Sequence, residues 1–342
     1  SRVADAGADD LIMETTSMGL KTGRVNALTF DVGVFTNLAS DHLDDHGTQE
    51  DYRASKLKLF SLSERAVINM DDPFSRVIRE RMRGDILGFG IDTGDGCALF
   101  AERIAYSEDG VSFDMVYDGR GENGAETETI RLGTPGKFAI YNALAATGAA
   151  ILLGVSMPLA AAALRERIDI PGRFEVIRSE TGIAAIVDYA HTADALENLL
   201  TAVRDNPRYN RVVSVFGCGG DRDPSKRAPM GEISGRLADH TILTSDNPRT
   251  ENPRAIIDDI EVGIRASGGD YEVEPDRAKA IGKAVASANS GDVIVVAGKG
   301  HEDYQIIGDE KIRFDDREAV RAAFGILPPD IARERTAGRF DT

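Results

Sequence analysis

The chain has 342 residues, 42% of them hydrophobic, which predicts a globular protein of two domains rather than one. Its 40 Lys and Arg residues are outnumbered by 57 Asp and Glu residues, giving a formal net charge of −17. A surface of that charge repels nucleic acid and anionic membranes, so we expect neither as a partner. Two cysteines without metal-ligand spacing, and no apolar run of about 18 residues, predict a cytoplasmic protein without disulfides or membrane spans.

The first half of the chain alternates between predicted strands and helices, which is typical of a mostly parallel sheet. A helix is predicted to begin near Thr48, because Glu50 and Asp51 then fall in its first turn. Short alternating runs between 97 and 133 predict a small antiparallel meander at the edge of the sheet. The predicted strands are LIME (11–14), VGVFTN (32–37), AVINM (66–70) and ILGFG (86–90).

A Pro-Gly break in DIPGRFE (169–175) follows two predicted helices, at about 137–153 and 157–168. We place a domain boundary there, with a central domain at 1–170 and a C-terminal domain at 171–342. The second domain repeats the α/β alternation and predicts a Rossmann-like fold. Its predicted strands lie near 174–179, 184–188, 211–216, 240–244, 271–274 and 292–297, with a terminal helix near 316–325.

Three glycine-bracketed stretches follow apolar runs in the second half of the chain. They are FGCGGDRDPSKR (216–227), SDNPRTENP (245–253) and AGKGHEDYQ (297–305). Each places polar residues at the carboxyl end of a predicted strand, which is where open α/β sheets bind ligands. Guanidinium groups such as Arg222 and Arg249 suit a carboxylate, and Asp246 and Glu302 suit an ammonium. The pattern therefore predicts a site for a zwitterionic substrate.

A second group of polar residues lies in the first half. Glu14 ends a predicted strand, and Lys56 lies on the helix that follows the acidic segment 41–46. Carboxylates and an imidazole at neighbouring strand ends suit a divalent cation near phosphate oxygens. The spacing of His42 and His46 also leaves zinc open, although no HExxH pattern surrounds them. The segment contributes Asp41, His42, Asp44, Asp45 and His46.

Three residues of the second half are candidates for a nucleotide. Asp188 ends a predicted strand and could bind ribose hydroxyls, or could merely face the N-terminus of the helix that begins after Thr192. Arg173 and Lys299 are candidates for contacting phosphate.

Five segments together resemble the Mur ligases, in particular the members that add the third residue of the peptidoglycan stem peptide. The resemblance runs from about residue 11 to 325. It implies the α/β central domain and Rossmann-like C-terminal domain of that family. The segments are NLASDHLDDHGTQEDYRASKLKLF, DYAHTADALE, FGCGGDRDPSKRAPMG, DNPRTENP and AGKGHEDYQI.

The resemblance implies an ATP-dependent peptide synthase that needs Mg²⁺. Its substrates would be ATP, UDP-N-acetylmuramoyl-L-alanyl-D-glutamate and meso-diaminopimelate, joined through an acyl phosphate in peptidoglycan synthesis. The DNPR form favours diaminopimelate, because Arg249 would hold the distal carboxylate that lysine lacks. We expect a cytoplasmic monomer.

The resemblance also implies residue roles. Glu14, His42 and Lys56 match catalytic magnesium ligands, with Lys56 carbamylated so that an ammonium becomes an anion. Thr16 and Arg24 match contacts with the UDP-muramoyl dipeptide. The matches for ATP are Asn142, Arg173 and Asp188, and those for the added amino acid are Arg222, Asp246, Asn247, Arg249, Gly298 and Glu302.

The first domain and the phosphate-binding loop of that family have no counterpart after Ser1, so we interpret the chain as a fragment of a ligase and expect it to be inactive alone. Three alternatives remain open. One is another amide ligase, such as folylpolyglutamate or cyanophycin synthetase. The others are a non-catalytic binding module of the same family and a metal-dependent hydrolase built on Asp41, His42 and His46.

Overall fold

A computed structural model of the chain describes residues 7–38, 47–91, 96–107, 110–119, 124–166 and 170–326. Its contacts divide the chain into two compact units. The first contains the residues up to Glu102 together with Asp114–Glu128 and Tyr141–Ala163; the second contains the remainder. The single boundary between residues 170 and 171 stays a prediction.

The first sheet has six strands in the order β1 to β6. Strands β1 to β4 pair in parallel. Strands β4 and β5 run in opposite directions, since Asp118 N donates to Ala98 O and Ser112 Oγ donates to Ala105 O. Their bounds are β1 Phe30–Phe35, β2 Ser63–Asn69, β3 Ile86–Gly90, β4 Cys97–Ser107, β5 Gly110–Tyr117 and β6 Glu126–Leu132.

The helix predicted to begin near Thr48 is present, and a threonine hydroxyl caps it. Helix α2 begins after Thr48, whose hydroxyl accepts a hydrogen bond from Asp51 N at 3.1 Å, with Glu50 also in the first turn. Thr16 caps α1 in the same way, accepting from Gly19 N at 3.1 Å. The helices are α1 Ser17–Lys21, α2 Gln49–Ser61, α3 Ser75–Arg81, α4 Lys137–Leu152 and α5 Met157–Arg165.

The predicted strand at 11–14 is wrong. Leu11, Met13 and Glu14 are exposed, Ile12 is 98% exposed, and the segment has no regular secondary structure. A strand needs a neighbour to accept its backbone hydrogen bonds, and the described residues pair none with this segment. The apolar residues of this segment were therefore not sufficient to make it a strand.

The second sheet has six strands in the order β11-β10-β9-β12-β8-β7. All neighbours pair in parallel except β7, which runs antiparallel to β8. Strands β9 and β12 are buried along their whole length, as expected for parallel strands covered on both faces. The bounds are β7 Glu175–Arg178, β8 Ala184–Asp188, β9 Val212–Phe216, β10 His240–Leu243, β11 Tyr271–Val273 and β12 Val293–Ala297.

Helices cover both faces of this sheet. One face packs against α6, α7 and α8 through side chains such as Leu200, Met230 and Ile260. The other packs against α9 and α10 through Ile281 and Val320. The predicted α/β class is thus confirmed. The helices are α6 Ala193–Arg204, α7 Arg227–Leu237, α8 Pro253–Ser267, α9 Arg277–Ser287 and α10 Asp316–Ala323.

A short antiparallel hairpin follows β12 and was not predicted. Strands β13 (Tyr304–Ile307) and β14 (Glu310–Arg313) pair across a turn in which Gly308 has φ +59°. None of the helices in the described ranges combines the length and the apolar character that crossing a membrane requires.

Candidate functional site

The three glycine-bracketed loops lie side by side. They follow β9, β10 and β12, which are neighbours in one parallel sheet with β9 in the middle. Parallel strands end at the same edge of a sheet, so the loops at 217–222, 244–251 and 298–303 meet there. The three loops thus meet at one sheet edge, while the predicted site for a zwitterionic substrate stays a prediction.

The first two loops are tied together by hydrogen bonds. Asp221 accepts from Thr250 N at 3.2 Å and from Thr250 Oγ1 at 2.8 Å. The hydrogen bonds from Thr250 lower the pKa of Asp221. Gly220 N donates to Asn247 O at 2.9 Å, and Arg249 Nη1 donates to Gly220 O at 2.7 Å. The position of Arg249 is therefore set by the neighbouring loop.

The backbone of Arg249 is held by the hairpin that follows the third loop. Arg249 N donates to Ile306 O at 3.1 Å, and Arg249 O accepts from Gly308 N at 2.7 Å. The residue adopts φ +50°, a conformation that ordinary side chains rarely take. Such a conformation persists where surrounding contacts over-determine it, as these do. The hairpin that the sequence analysis missed thus positions a predicted ligand-binding arginine.

Asp246, Asn247 and Glu302 surround the ammonium of Lys299, which is completely buried. Lys299 Nζ donates to Asn247 Oδ1 at 2.9 Å and to Tyr304 O at 2.8 Å. It also forms ion pairs with Asp246 Oδ1 at 3.0 Å and Glu302 Oε2 at 3.5 Å. Asn247 Nδ2 donates to Glu302 Oε2 at 3.1 Å. We call these four side chains the lysine cluster.

Glycines allow close backbone approaches beside the lysine cluster. Gly298 has φ +114°, and a Cβ there would lie 3.0 Å from Asp246 Oδ2. A Cβ on Gly172 would lie 2.1 Å from Gly300 C and from His301 N. Any side chain at Gly172 would therefore separate the segment at 170–173 from the third loop.

An aromatic group lies at the same edge and was not singled out from the sequence. The Arg173 guanidinium lies 4.5 Å from the centre of the Tyr189 ring, a cation–π distance. The Tyr189 ring also contacts His191 and His301, with centroids 4.7 Å and 5.2 Å apart. These aromatic residues come from two loops, so only the fold brings them together. The sequence signal that could have found them is that DYAH and GKGH each place an aromatic residue at the end of a strand.

Asp188 ends β8, as predicted, and both of its carboxylate oxygens accept backbone hydrogen bonds. Phe174 N donates to Oδ2 at 2.7 Å, and Ala190 N donates to Oδ1 at 2.8 Å. Burial raises the pKa of Asp188, although these amide hydrogen bonds and the charge of Arg173 oppose the rise. The carboxylate thus orders the segment that carries Arg173, whatever else it binds.

In the first unit, Glu14 and Lys56 interact electrostatically. Burial lowers the pKa of Lys56, and the charge of Glu14 opposes that shift. Lys56 lies on α2, with its Nζ 5.8 Å from the centre of the Tyr52 ring. A lowered pKa enlarges the fraction of neutral amine, which is the nucleophilic form. These two residues are two of the three magnesium ligands that the resemblance implies.

Three other predicted residues of the first unit lie in the described ranges, and all three are exposed. Thr16 caps α1, Arg24 follows that helix, and Asn142 lies on α4. His42 falls outside the described residues, as do Asp41, Asp44, Asp45 and His46. Within the described ranges, no three His, Cys, Asp or Glu side chains are grouped so that they could hold a metal ion.

A buried arginine that sequence reasoning missed lies beneath the loops of the second unit. Arg277, at the start of α9, and Asp316, at the start of α10, form a bidentate ion pair at 2.7 and 2.8 Å. Both side chains are 0% exposed. Arg277 also donates to Ala297 O at 2.8 Å and Ser245 O at 3.4 Å. It therefore joins the ends of the segments that lead into the second and third loops.

Two models of known protein families match the chain. A model of the Mur ligase middle domain matches residues 1–150, and a model of the Mur ligase glutamate ligase domain matches residues 172–300. The chain belongs to the Mur ligase family. The second match contains the first two loops and Lys299, and it ends within the third loop, before Glu302.

Curated Mur ligases resemble the chain over most of its length. A UDP-N-acetylmuramoyl-L-alanyl-D-glutamate–2,6-diaminopimelate ligase 2 from Clostridium acetobutylicum is 42% identical over 321 residues, covering 94% of this chain and 65% of the relative. The ligase of the same description from Geobacillus kaustophilus is 43% identical over 331 residues, covering 94% and 66%. The chain thus spans a little less than two thirds of these relatives.

Solved structures agree on the fold. A structure described as a UDP-N-acetylmuramoyl-L-alanyl-D-glutamate–2,6-diaminopimelate ligase is 36% identical, with a TM-score of 0.60, and the match covers 94% of this chain and 66% of that one. A UDP-N-acetylmuramate-alanine ligase from Thermotoga maritima has a TM-score of 0.61 at 20% identity, covering 90% and 60%. The second likeness bears on the fold alone.

Proposed function

We propose that the protein carrying this chain is an ATP-dependent peptide synthase that joins meso-diaminopimelate to the glutamate of UDP-N-acetylmuramoyl-L-alanyl-D-glutamate. Relatives at 42% and 43% identity have names that state this pair of substrates. The observation that carries the proposal is the proximity of the lysine cluster to Arg249 at one sheet edge. That arrangement offers anionic and cationic groups together, as a diamino dicarboxylic acid requires.

In this proposal the amino acid binds among the three loops. Arg249 binds the distal carboxylate, and the acidic side chains of Asp246 and Glu302 attract an ammonium. Lysine has no distal carboxylate, so it would leave the Arg249 guanidinium without its anionic partner. Arg222, Asn247 and Gly298 complete the proposed contacts. Arg222 is exposed on the first loop, where a ligand could reach it.

We assign ATP to Asn142, Arg173 and Asp188, and the UDP-muramoyl dipeptide to Thr16 and Arg24. Arg173 is exposed and held against the Tyr189 ring. Its guanidinium can therefore meet negative charge that develops during phosphoryl transfer. We place the reaction in the cytoplasm, with the protein acting as a monomer.

The metal site of this proposal consists of Glu14, His42 and a carbamylated Lys56. The described part fits: Lys56 is half-buried beside the charge of Glu14, and burial lowers its pKa. The neutral amine adds to carbon dioxide, forming an N–C bond and losing a proton, which yields an anionic carbamate. Bound Mg²⁺ would screen the negative charges of the phosphates and of the attacking carboxylate.

The chemistry has two steps. The glutamate side-chain carboxylate attacks the γ-phosphorus of ATP, giving an acyl phosphate and releasing ADP. The neutral amine of diaminopimelate then attacks the acyl carbon, and phosphate leaves as the tetrahedral intermediate collapses. Both steps depend on positioning and on electrostatic stabilisation more than on covalent help from the protein.

The test is a ligation assay on the natural protein that contains this chain. With all three substrates and Mg²⁺, we expect stoichiometric ADP and tripeptide product, with diaminopimelate preferred over lysine by at least about tenfold. Product from glutamate or aspartate in place of diaminopimelate would favour another amide ligase. Binding without turnover would favour a binding module, and hydrolysis without ATP would favour a metal-dependent hydrolase. Any of these three outcomes contradicts the proposal.

A further inference from the structure

Lys299 lies at the centre of the lysine cluster, where oxygens of the protein surround its ammonium. An ammonium has three N–H donors. Lys299 Nζ donates hydrogen bonds to Asn247 Oδ1 and Tyr304 O, and Asp246 Oδ1 lies 3.0 Å away as an ion-pair partner. The side chain is also 0% exposed. A phosphate oxygen could reach this ammonium only by displacing one of these partners, which conflicts with a role in phosphate binding.

The lysine cluster contains one cation for two carboxylates. Asp246 Oδ1 is buried and has only the ionic contact with Lys299, without a hydrogen bond among the described residues. A buried carboxylate without a nearby cation is strongly destabilised. Lys299 therefore places an opposite charge beside the buried side chain of Asp246. The cluster keeps one net negative charge, which suits a cationic ligand group.

Lys299 also fixes the orientation of Asn247. The Asn247 Oδ1 atom accepts from Lys299 Nζ and from Ile306 N, at 2.9 and 3.0 Å, so its Nδ2 points towards Glu302. Rotating the amide would place its N–H groups against the ammonium. One buried charge thus sets the directions of a carboxylate and an amide on the second loop and of a carboxylate on the third.

From these contacts we propose that Lys299 is a specificity-determining positioning residue, which shapes the site for the amino group of the incoming amino acid and binds no phosphate. This inference rests on the proposed function. It assigns Lys299 to the amino-acid step, whereas a lysine in a glycine-bracketed loop would ordinarily be assigned to the nucleotide.

The first experiment compares steady-state kinetics of the natural protein with two variants, Lys299→Met and Lys299→Arg. Methionine keeps the length of the side chain and removes its charge, while arginine keeps the charge in a shape that does not fit three converging acceptors. The matched control is Lys279→Met, because Lys279 is 69% exposed on α9. We expect KM for diaminopimelate to rise at least about 30-fold in both Lys299 variants. KM for ATP should stay within about twofold.

Each other outcome counts against the proposal. A rise in KM for ATP with an unchanged KM for diaminopimelate would assign Lys299 to phosphate. Equal changes in all the kinetic parameters, or failure of the arginine variant to fold, would show that the role of Lys299 is purely structural. Absence of ligation by the wild-type protein would instead refute the proposed function, so the two failures are distinguishable in one assay.

A second measurement needs no variant. Surface lysines of the wild-type protein are acetylated and located by mass spectrometry, with and without ATP and with and without diaminopimelate. We expect Lys279 to be acetylated and Lys299 to stay unmodified in all four samples. Acetylation of Lys299 in the free protein that ATP alone prevents would overturn the proposal, because it would show an exposed lysine covered by the nucleotide.

Discussion

The Arg277–Asp316 ion pair gives the sharpest prediction for stability. Both side chains are fully buried, and their contacts are 2.7 and 2.8 Å long. Removing one partner of a buried ion pair costs about 3–5 kcal/mol, because the other charge is left uncompensated. The substitution Arg277→Met also removes the donor to Ala297 O, for about 1–3 kcal/mol. We expect a loss of about 4 kcal/mol or more in the free energy of unfolding of the second unit.

The double substitution Arg277→Met/Asp316→Leu separates charge from hydrogen bonding. It removes both charges of this ion pair, so the cost of leaving one of them buried without its partner disappears. The carbonyl of Ala297 still lacks the arginine donor, so a loss of about 2 kcal/mol should remain. The matched control is Arg236→Met, which breaks the 2.6 Å pair with Glu197. That pair is 53% and 44% exposed, so the control should cost less than about 1 kcal/mol.

The assay is hydrogen exchange of the β12 amides, measured by mass spectrometry. A chain of two units need not unfold in one transition, so a single global midpoint would be hard to interpret. Exchange of buried strand amides reports the local opening free energy instead. A loss of about 4 kcal/mol corresponds to roughly thousandfold faster exchange. Acceleration below about tenfold in Arg277→Met, or a double variant that exchanges as fast as the single one, would refute this reasoning.

Three further outcomes are expected. Lys56→Ala should lower turnover by at least about 100-fold and remove any response to bicarbonate, whereas the wild-type protein should lose activity in buffer free of carbon dioxide and regain it with bicarbonate. Wild-type activity that is the same with and without carbon dioxide would exclude a carbamate. Arg249→Ala should raise KM for diaminopimelate by about 10- to 100-fold and leave KM for lysine unchanged, measured by product formation. Burial raises the pKa of Cys218 to about 12, so iodoacetamide at about pH 8 should alkylate Cys97 first, as peptide mapping would show.

The second sheet could be predicted because its strands carry a strong signal. Buried parallel strands are continuous apolar runs, and VVSVF (212–216) and VIVVA (293–297) are both followed at once by glycine. The segment LIME (11–14) has similar apolar character and is no strand, since pairing depends on a neighbour that local sequence does not reveal. The hairpin at 304–313 was missed although Gly308 and Asp309 form a two-residue turn signal. Its flanking strands alternate too weakly to be recognised.

The sequence assigned roles to the residues of the candidate site, and those roles stay predictions. The sequence indicated that Asp246, Asn247, Arg249 and Glu302 belong together, because each follows a strand of one parallel sheet. It could not indicate which cations face a ligand. The contact of Arg173 with Tyr189 joins residues 16 positions apart through a loop geometry that no periodicity encodes.

Burial separates the cations of the second unit into two functional classes. The side chains of Arg277 and Lys299 are buried. Arg277 donates to a carboxylate and to carbonyls, and Lys299 donates to an amide oxygen and a carbonyl. Arg173 and Arg222 are exposed at the same sheet edge. A side chain whose donors already have fixed acceptors gains little from a ligand, so it acts by holding other groups in place. An exposed guanidinium still exchanges water for ligand oxygens. A basic residue at a strand end can therefore either bind a ligand or hold other protein groups in place. Its burial distinguishes the two cases, and only the fold determines that burial.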